Sequence, residues 1–241
     1  MQGLFVGEGM NKKAIGIIGG MGPDASQYFY KLLICRAQRD YHVGKNEDFP
    51  EIYLASIPVP DFITSEERKE EALLMLLDRL NRMDSLPVSF FCLACNTGHL
   101  LLEDLRRETN KPFISLLEVV PRFLKRKQIN KIGLLATPTT IQTKMYEKPL
   151  EKKGIELILP SSGDIKILGD IILNTVAGKN FDNNQFLIQR IARRLLDSGA
   201  QGILEACTEI PQIFPKQHLI PVFDTLEILA DAVLKRYYLL K

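Results

Sequence analysis

The sequence predicts an α/β protein built as two pseudo-symmetric lobes, each a mostly parallel sheet flanked by helices, with the functional site in the cleft between them. Three observations predict this. Short apolar runs alternate with stretches of helical period, the second half of the chain echoes the first, and two cysteine-bearing polar clusters end equivalent apolar runs.

Taken in order, "KAIGIIGG" (13–20) is an apolar strand closed by glycines, and "PDASQYFYKLLICRAQRD" (23–40) reads as a helix with Asp24 as N-cap. "EIYLASI" (51–57) is a strand. "TSEERKEEALLMLLDRLNRMD" (64–84) is a helix opened by a Thr64/Glu67 capping box, with Leu73, Leu76, Leu77 and Leu80 as its apolar stripe. "VSFFCLAC" (88–95) is a buried strand. A β-α-β order of this kind implies a parallel sheet covered on both faces.

The echo is ordered. "AIGIIGGMGP" at 14 is answered by "KIGLLATPTT" at 131, and "SFFCLACNT" by "QGILEACTE", which places Cys95 and Cys207 112 positions apart. "KPFISLLEVV" at 111 is answered by "IPVFDTLEIL" at 220, an offset of 109. The expected lobes are 1–118 plus 224–241, and 119–223, with a last helix near 225–239 folding back on the first lobe. Ligands of open parallel sheets bind beyond the carboxyl ends of the strands. Equivalent strand ends would therefore bring Cys95 and Cys207 to one cleft.

The chain's 241 residues are 46% hydrophobic and 25% charged, with a net charge of +2. That balance gives no electrostatic reason to expect nucleic acid or a membrane surface as partner, and no apolar run is long enough to span a bilayer. The first residues do not read as a signal peptide. Four cysteines without one point to reduced thiols and a cytoplasmic setting.

Several chemistries compete for "FFCLACNTGHL" (90–100). Cys92, Cys95, His99 and Cys207 have ligand-like types for zinc, but Cys92 lies inside the strand and only one short-spaced pair is present, so no metal is expected. The same placement argues against a thioredoxin-like pair, and Cys92 and Cys35 read as small buried hydrophobes. A Cys95–His99 nucleophile would share a helical face but leaves Cys207 idle. His42 and His218 lie in polar loop-like stretches and take no role. The glycine turn "GIIGGMGP" lacks the spacing of a dinucleotide or Walker loop. Proton transfer at one carbon from two faces uses both cysteines: a thiolate removes a proton, a thiol returns one, and the N–H groups of "NT" and "TE" receive a carboxylate.

"IGIIGGMGPDAS", "ACNTGH", "IGLLATPTTIQTKMYEKPL" and "EACTEI" resemble the aspartate/glutamate racemase superfamily, most closely its aspartate racemase branch, from about residue 13 onward. The resemblance implies pyridoxal-independent, two-base racemisation of an amino acid by an isomerase that needs no cofactor and works as a homodimer. It implies Cys95 and Cys207 as the catalytic pair, with Met21, Gly22, Asn96, Thr97, Thr137, Thr140 and Thr208 lining the substrate site. Glu209 and His99 are implied as support behind that site or as helix caps.

Two positions depart from the family pattern. "IPVPDFIT" has Phe62 where the family places an arginine, and "NTVAGKN" has Val176 where it places a lysine; both cations would hold an acidic side chain. The substitutions predict preference for a neutral amino acid, unless Arg68 supplies the missing charge. The alternatives are another cysteine enzyme of the superfamily (hydantoin racemase, maleate isomerase or decarboxylase type) or a non-catalytic small-molecule-binding relative.

Overall fold

The computed structural model describes residues 13–62, 66–215 and 220–240. The first half runs β1 (Ala14–Gly19), α1 (Pro23–Tyr41), β2 (Glu51–Ser56), α2 (Lys69–Asp84), β3 (Val88–Leu93), α3 (Leu102–Arg107), β4 (Phe113–Ile114) and α4 (Leu116–Arg126). The second runs β5 (Lys131–Ala136), α5 (Pro138–Gln142), α6 (Glu147–Glu151), β6 (Glu156–Ile158), α7 (Ser162–Val176) and α8 (Phe181–Asp197). It ends with β7 (Ile203–Ala206), α9 (Ile210–Ile213), β8 (Val222–Asp224) and α10 (Thr225–Leu239).

These strands form two four-stranded sheets, ordered β2-β1-β3-β4 and β6-β5-β7-β8, and every pairing is parallel. The same order occurs twice. Strand alternation explains why central strands read as unbroken apolar runs. In β1, Ile15 and Ile17 face a core that continues into the second sheet, while Ile18 faces a separate cluster under α2 and α3. In β3, Phe90 and Cys92 take the first side, and Phe91 and Leu93 the second.

The duplication extends to the helix starts. Ser115 caps α4 by accepting from the Leu117 N–H, and Asp224, 109 positions later, caps α10 by accepting from the Leu226 N–H. Helix α10 packs on α1 and α4, as the echo predicted for the last helix. Arg36, buried on α1, reaches Glu227 at 2.9 Å and also Asp231 on α10.

Three local expectations change. Asp24 is not the cap of α1. Gly22 holds that position at φ 91°, and Pro23 follows inside the first turn, where a missing N–H costs nothing; Asp24 lies beside the positive helix end. Cys35 is exposed, not buried. The inward stripe of α1 is Ala25, Phe29, Leu33, Arg36 and Ala37, and Cys35 falls outside it. Helix α2 begins at Lys69 and buries Ala72, Leu76, Leu80 and Met83, leaving Leu73 and Leu77 half-buried; Thr64 of the expected capping box lies outside the described residues. His218 also lies outside them, and His42 ends α1 in a left-handed conformation.

Candidate active site

Cys95 stands two residues past β3 and Cys207 one residue past β7, the equivalent central strands of the two sheets. Both are buried, at 7% and 4% exposure. Each strand is anchored by an apolar core on its near side, so the first polar side chains after it project from a rigid base.

After Cys95 the chain turns into a short 3-10 segment, Thr97–Leu101. Its opening directs the Gly98 N–H at the Cys95 sulfur, at 3.3 Å. Burial pushes this thiol up to about 12; donation from the Gly98 and Thr97 N–H groups opposes that, and the charge of Glu209 adds to it. A side chain at position 98 would crowd both Met21, whose sulfur would lie 3.1 Å from the added carbon, and Cys95 itself.

Cys207 has a different partner. Its S–H donates to Glu209 Oε2 at 3.0 Å, and the Thr208 hydroxyl donates to the same oxygen at 2.9 Å. Burial raises the Cys207 thiol well above its ordinary value, and the Glu209 carboxylate raises it further by charge and by accepting its proton in a hydrogen bond. Gly22 closes over this group. A β-carbon there would come within 2.5 Å of Glu209 Oε1, and its φ of 91° disfavours any side chain.

Between the lobes, three hydroxyls converge: Thr97 lies 3.1 Å from Thr137 and 3.2 Å from Thr140, and Thr137 donates to Thr140 at 2.9 Å. All three are buried. Asn96 is also buried, and its amide is bonded to other groups. Its oxygen accepts from Tyr146 at 2.5 Å, and its nitrogen donates to Thr225 at 2.9 Å. Neither Tyr146 nor Thr225 was singled out by sequence, although both sit in matched segments ("TKMYEKPL" and "FDT").

His99 is committed elsewhere. Its Nε2 accepts from the Leu116 N–H at 3.0 Å, which places the proton on Nδ1, bonded to the Cys95 carbonyl at 2.8 Å. Burial drives its pKa down to about 4. It braces the turn to the start of α4 and presents no free nitrogen to the Cys95 sulfur. Cys92 lies in the core, and among the described residues no three His, Cys, Asp or Glu side chains converge as a metal site would require.

Phe62 and Val176 are not neighbours of one kind. Phe62 is buried in the core under α2 with Ile18, Ile57 and Leu101, against which Met21 packs. Val176, half exposed at the end of α7, lines a small pocket of about 40 Å³ with Gly22, Asp24, Glu209 and Gln212. Arg68 is ion-paired on the surface, with both of its contacts to Glu71 at 2.9 Å. A larger groove of about 540 Å³ lies between α4 and α10 and is lined by neither cysteine.

Comparison with known proteins agrees with this architecture. A curated relative, the broad-specificity amino-acid racemase RacX of Bacillus subtilis (strain 168), is 25% identical over 92% of this chain and 97% of its own. The crystal structure of an aspartate racemase homologue from Pyrococcus horikoshii OT3 superposes with a TM-score of 0.77 at 28% identity, covering 93% of this chain and 99% of the other. Picrophilus torridus aspartate racemase gives 0.80 at 25% identity, covering 94% of each. The family model described as Asp/Glu/hydantoin racemase matches residues 18–233, and the chain belongs to that family.

Proposed function

We propose that the protein is an isomerase, an amino-acid racemase that inverts the α-carbon with two cysteines and without a cofactor. One observation carries the reading: the two thiols occupy equivalent strand ends of a duplicated fold, and a charge on Glu209 acts on both of them. The curated relative's name, a broad-specificity amino-acid racemase, supports the racemisation itself.

In the proposed reaction the Cys95 thiolate removes the α-proton on one face. The C–H electron pair stays on the α-carbon as a new S–H bond forms at Cys95. Cys207 then gives up its S–H proton to the opposite face. When Cys95 is the thiolate, the N–H groups of Gly98 and Thr97 donate to it against the burial that favours its thiol, while Glu209 accepts the Cys207 S–H. In the opposite direction the roles exchange. The substrate carboxylate is assigned to Thr97, Thr137 and Thr140, whose hydroxyls are bonded to one another, with Thr208, Met21 and Gly22 closing the second side.

The assignment extends to specificity. With Phe62 and Val176 in place of cations and Arg68 paired to Glu71, a side-chain carboxylate would lose its hydration without a partner, a cost of several kcal/mol. A neutral amino acid is therefore the proposed substrate. The lobes are assigned as 1–118 plus 224–241, and 119–223, with the first crossing inside α4. A cytoplasmic homodimer is the proposed working form; among the described residues no helix is long and apolar enough to cross a membrane.

The test is incubation with each common amino acid, and separately with hydantoins, in D2O, read by mass spectrometry and chiral chromatography. Label at the α-carbon together with inversion, strongest for a neutral amino acid, is the expected result. No label on any amino acid would remove the reading; label on hydantoins alone would move it to another reaction of the family.

A further inference from the structure

Asn96 connects the two cysteine-bearing segments through side chains that the reaction does not consume. It follows Cys95 directly, yet both ends of its amide are held by groups from the other half of the chain. Tyr146, in the turn before α6, donates to its oxygen at 2.5 Å. Its nitrogen donates to the Thr225 hydroxyl at 2.9 Å, and that hydroxyl donates onward to the Glu205 carbonyl at 2.9 Å. Glu205 lies in β7, two residues before Cys207.

All three side chains are nearly inaccessible: Tyr146 and Thr225 are 1% exposed and Asn96 is 2%. Buried bonds of this kind stiffen a unique arrangement, because an unmade bond strands a desolvated polar group. Tyr146 also lies close enough to Cys95 for a charge there to act on its phenol.

We infer that Tyr146 and Thr225 are positioning residues that, through Asn96, lock the Cys95 turn of one lobe to the Cys207 strand of the other and so set the separation of the two thiols. Neither touches a reacting atom. The inference rests on the two-thiol reading above, because separation matters only if both sulfurs address one carbon. Inversion needs both sulfurs at reaction distance together, whereas abstraction and return at one face need only one. Loosening the brace should therefore favour exchange with retention over inversion.

The experiment compares wild type with Tyr146→Phe, which removes only the hydroxyl, and with Thr225→Val and Thr225→Ser. Two quantities are read. One is the partition in D2O between label in recovered substrate of unchanged configuration and label in inverted product. The other is the native alkylation rate at each cysteine, mapped by peptide mass spectrometry, with exposed Cys35 as internal reference.

A displacement of about 1 Å costs roughly a hundredfold in rate. Tyr146→Phe and Thr225→Val should accordingly lower inversion by roughly 10- to 100-fold and raise the retention fraction. Cys95 alkylation should rise several-fold relative to Cys35 in both, and Thr225→Ser should stay near wild type. Parallel loss of exchange and inversion, or unchanged Cys95 reactivity in a folded Tyr146→Phe, would overturn the brace. If wild type turns over nothing, the proposed function falls instead, and the alkylation comparison alone decides whether the brace exists.

Discussion

Cys95 and Cys207 end matching strands in matching sheets, yet their neighbours differ in kind. The sulfur after β3 receives an N–H at 3.3 Å, while the sulfur after β7 gives its proton to a carboxylate oxygen at 3.0 Å. An N–H donor stabilises a thiolate, and an anionic acceptor stabilises a thiol. The duplicated fold thus supplies two equivalent places, and the three or four residues after each strand give the two sulfurs unlike partners. What is repeated is backbone and core; what differs is the polar chemistry at the cleft.

The severest way to break the comparison is to remove one sulfur at a time. Cys95→Ala and Cys207→Ala should each reduce racemisation by about 10²–10⁴-fold, the usual contribution of a positioned acid or base, as measured by chiral chromatography. Cys92→Ala is the control. It should keep its chemistry and lose about 1 kcal/mol of stability from the small cavity it leaves. Normal inversion in Cys207→Ala would end the two-sided reading and return attention to a single-thiol reaction.

Glu209→Gln sharpens the comparison. The carboxylate raises Cys207 both by its charge and by accepting the S–H, so its neutral isostere should lower that thiol's pKa. The ascending limb of the kcat/KM profile against pH should move to lower pH, and the resting preference for a protonated Cys207 should weaken. A limb that stays in place would show that the carboxylate is not coupled to the working thiol.

A smaller structural effect is expected at Gly22. Gly22→Ala places a carbon 2.5 Å from Glu209 Oε1 in backbone of φ 91°. Strain of this kind costs about 1–3 kcal/mol, and it should appear as a lower Tm. A Tm unchanged from wild type would mean that the turn relaxes freely around the carboxylate.

The scaffold was readable because it rests on local, repeating signals. Alternating apolar faces gave the strands, and the echoed segments located Cys207 from Cys95. Short-range reasoning failed where a side chain's partner lies far along the chain. Arg36 is buried where α10 returns with Glu227 and Asp231 nearly 200 positions later, while Cys35 falls outside the inward stripe of α1. The family resemblance implies Asn96 as a substrate contact, and its amide bonds to Tyr146 and Thr225, 50 and 129 positions away, are partners that no local pattern announces. The spacing of Cys95 and His99 suggested a pair; the Leu116 N–H, 17 positions on, is what occupies the ring.

His99 and Asp224 give the subtlest test, because they stand near the starts of α4 and α10 and titrate in opposite senses. His99 is depressed from 6.5 to about 4, so below pH 6.5 the unfolded chain binds a proton that the folded chain refuses. Its contribution is whole above 6.5 and is lost as pH falls toward 4. Asp224 is raised from 3.8 to about 6 by burial, so the folded chain holds the extra proton, and its contribution is whole below 3.8 and lost as pH rises through 6. Over the shared window the two slopes oppose each other, and wild type should lose little stability between pH 6.5 and 4 from this pair. Asp224→Asn removes one slope and exposes the other. Urea unfolding at pH 7 and pH 5 should then show the variant losing more on acidification than wild type, by about 1.4 kcal/mol, since about one unit of the Asp224 titration falls between those pH values and each unit is worth about 1.4 kcal/mol. His99→Gln should reverse the sign of that difference while leaving racemisation close to wild type. Equal acid sensitivity in all three proteins would mean that the two helix starts are not coupled to proton binding as their burial requires.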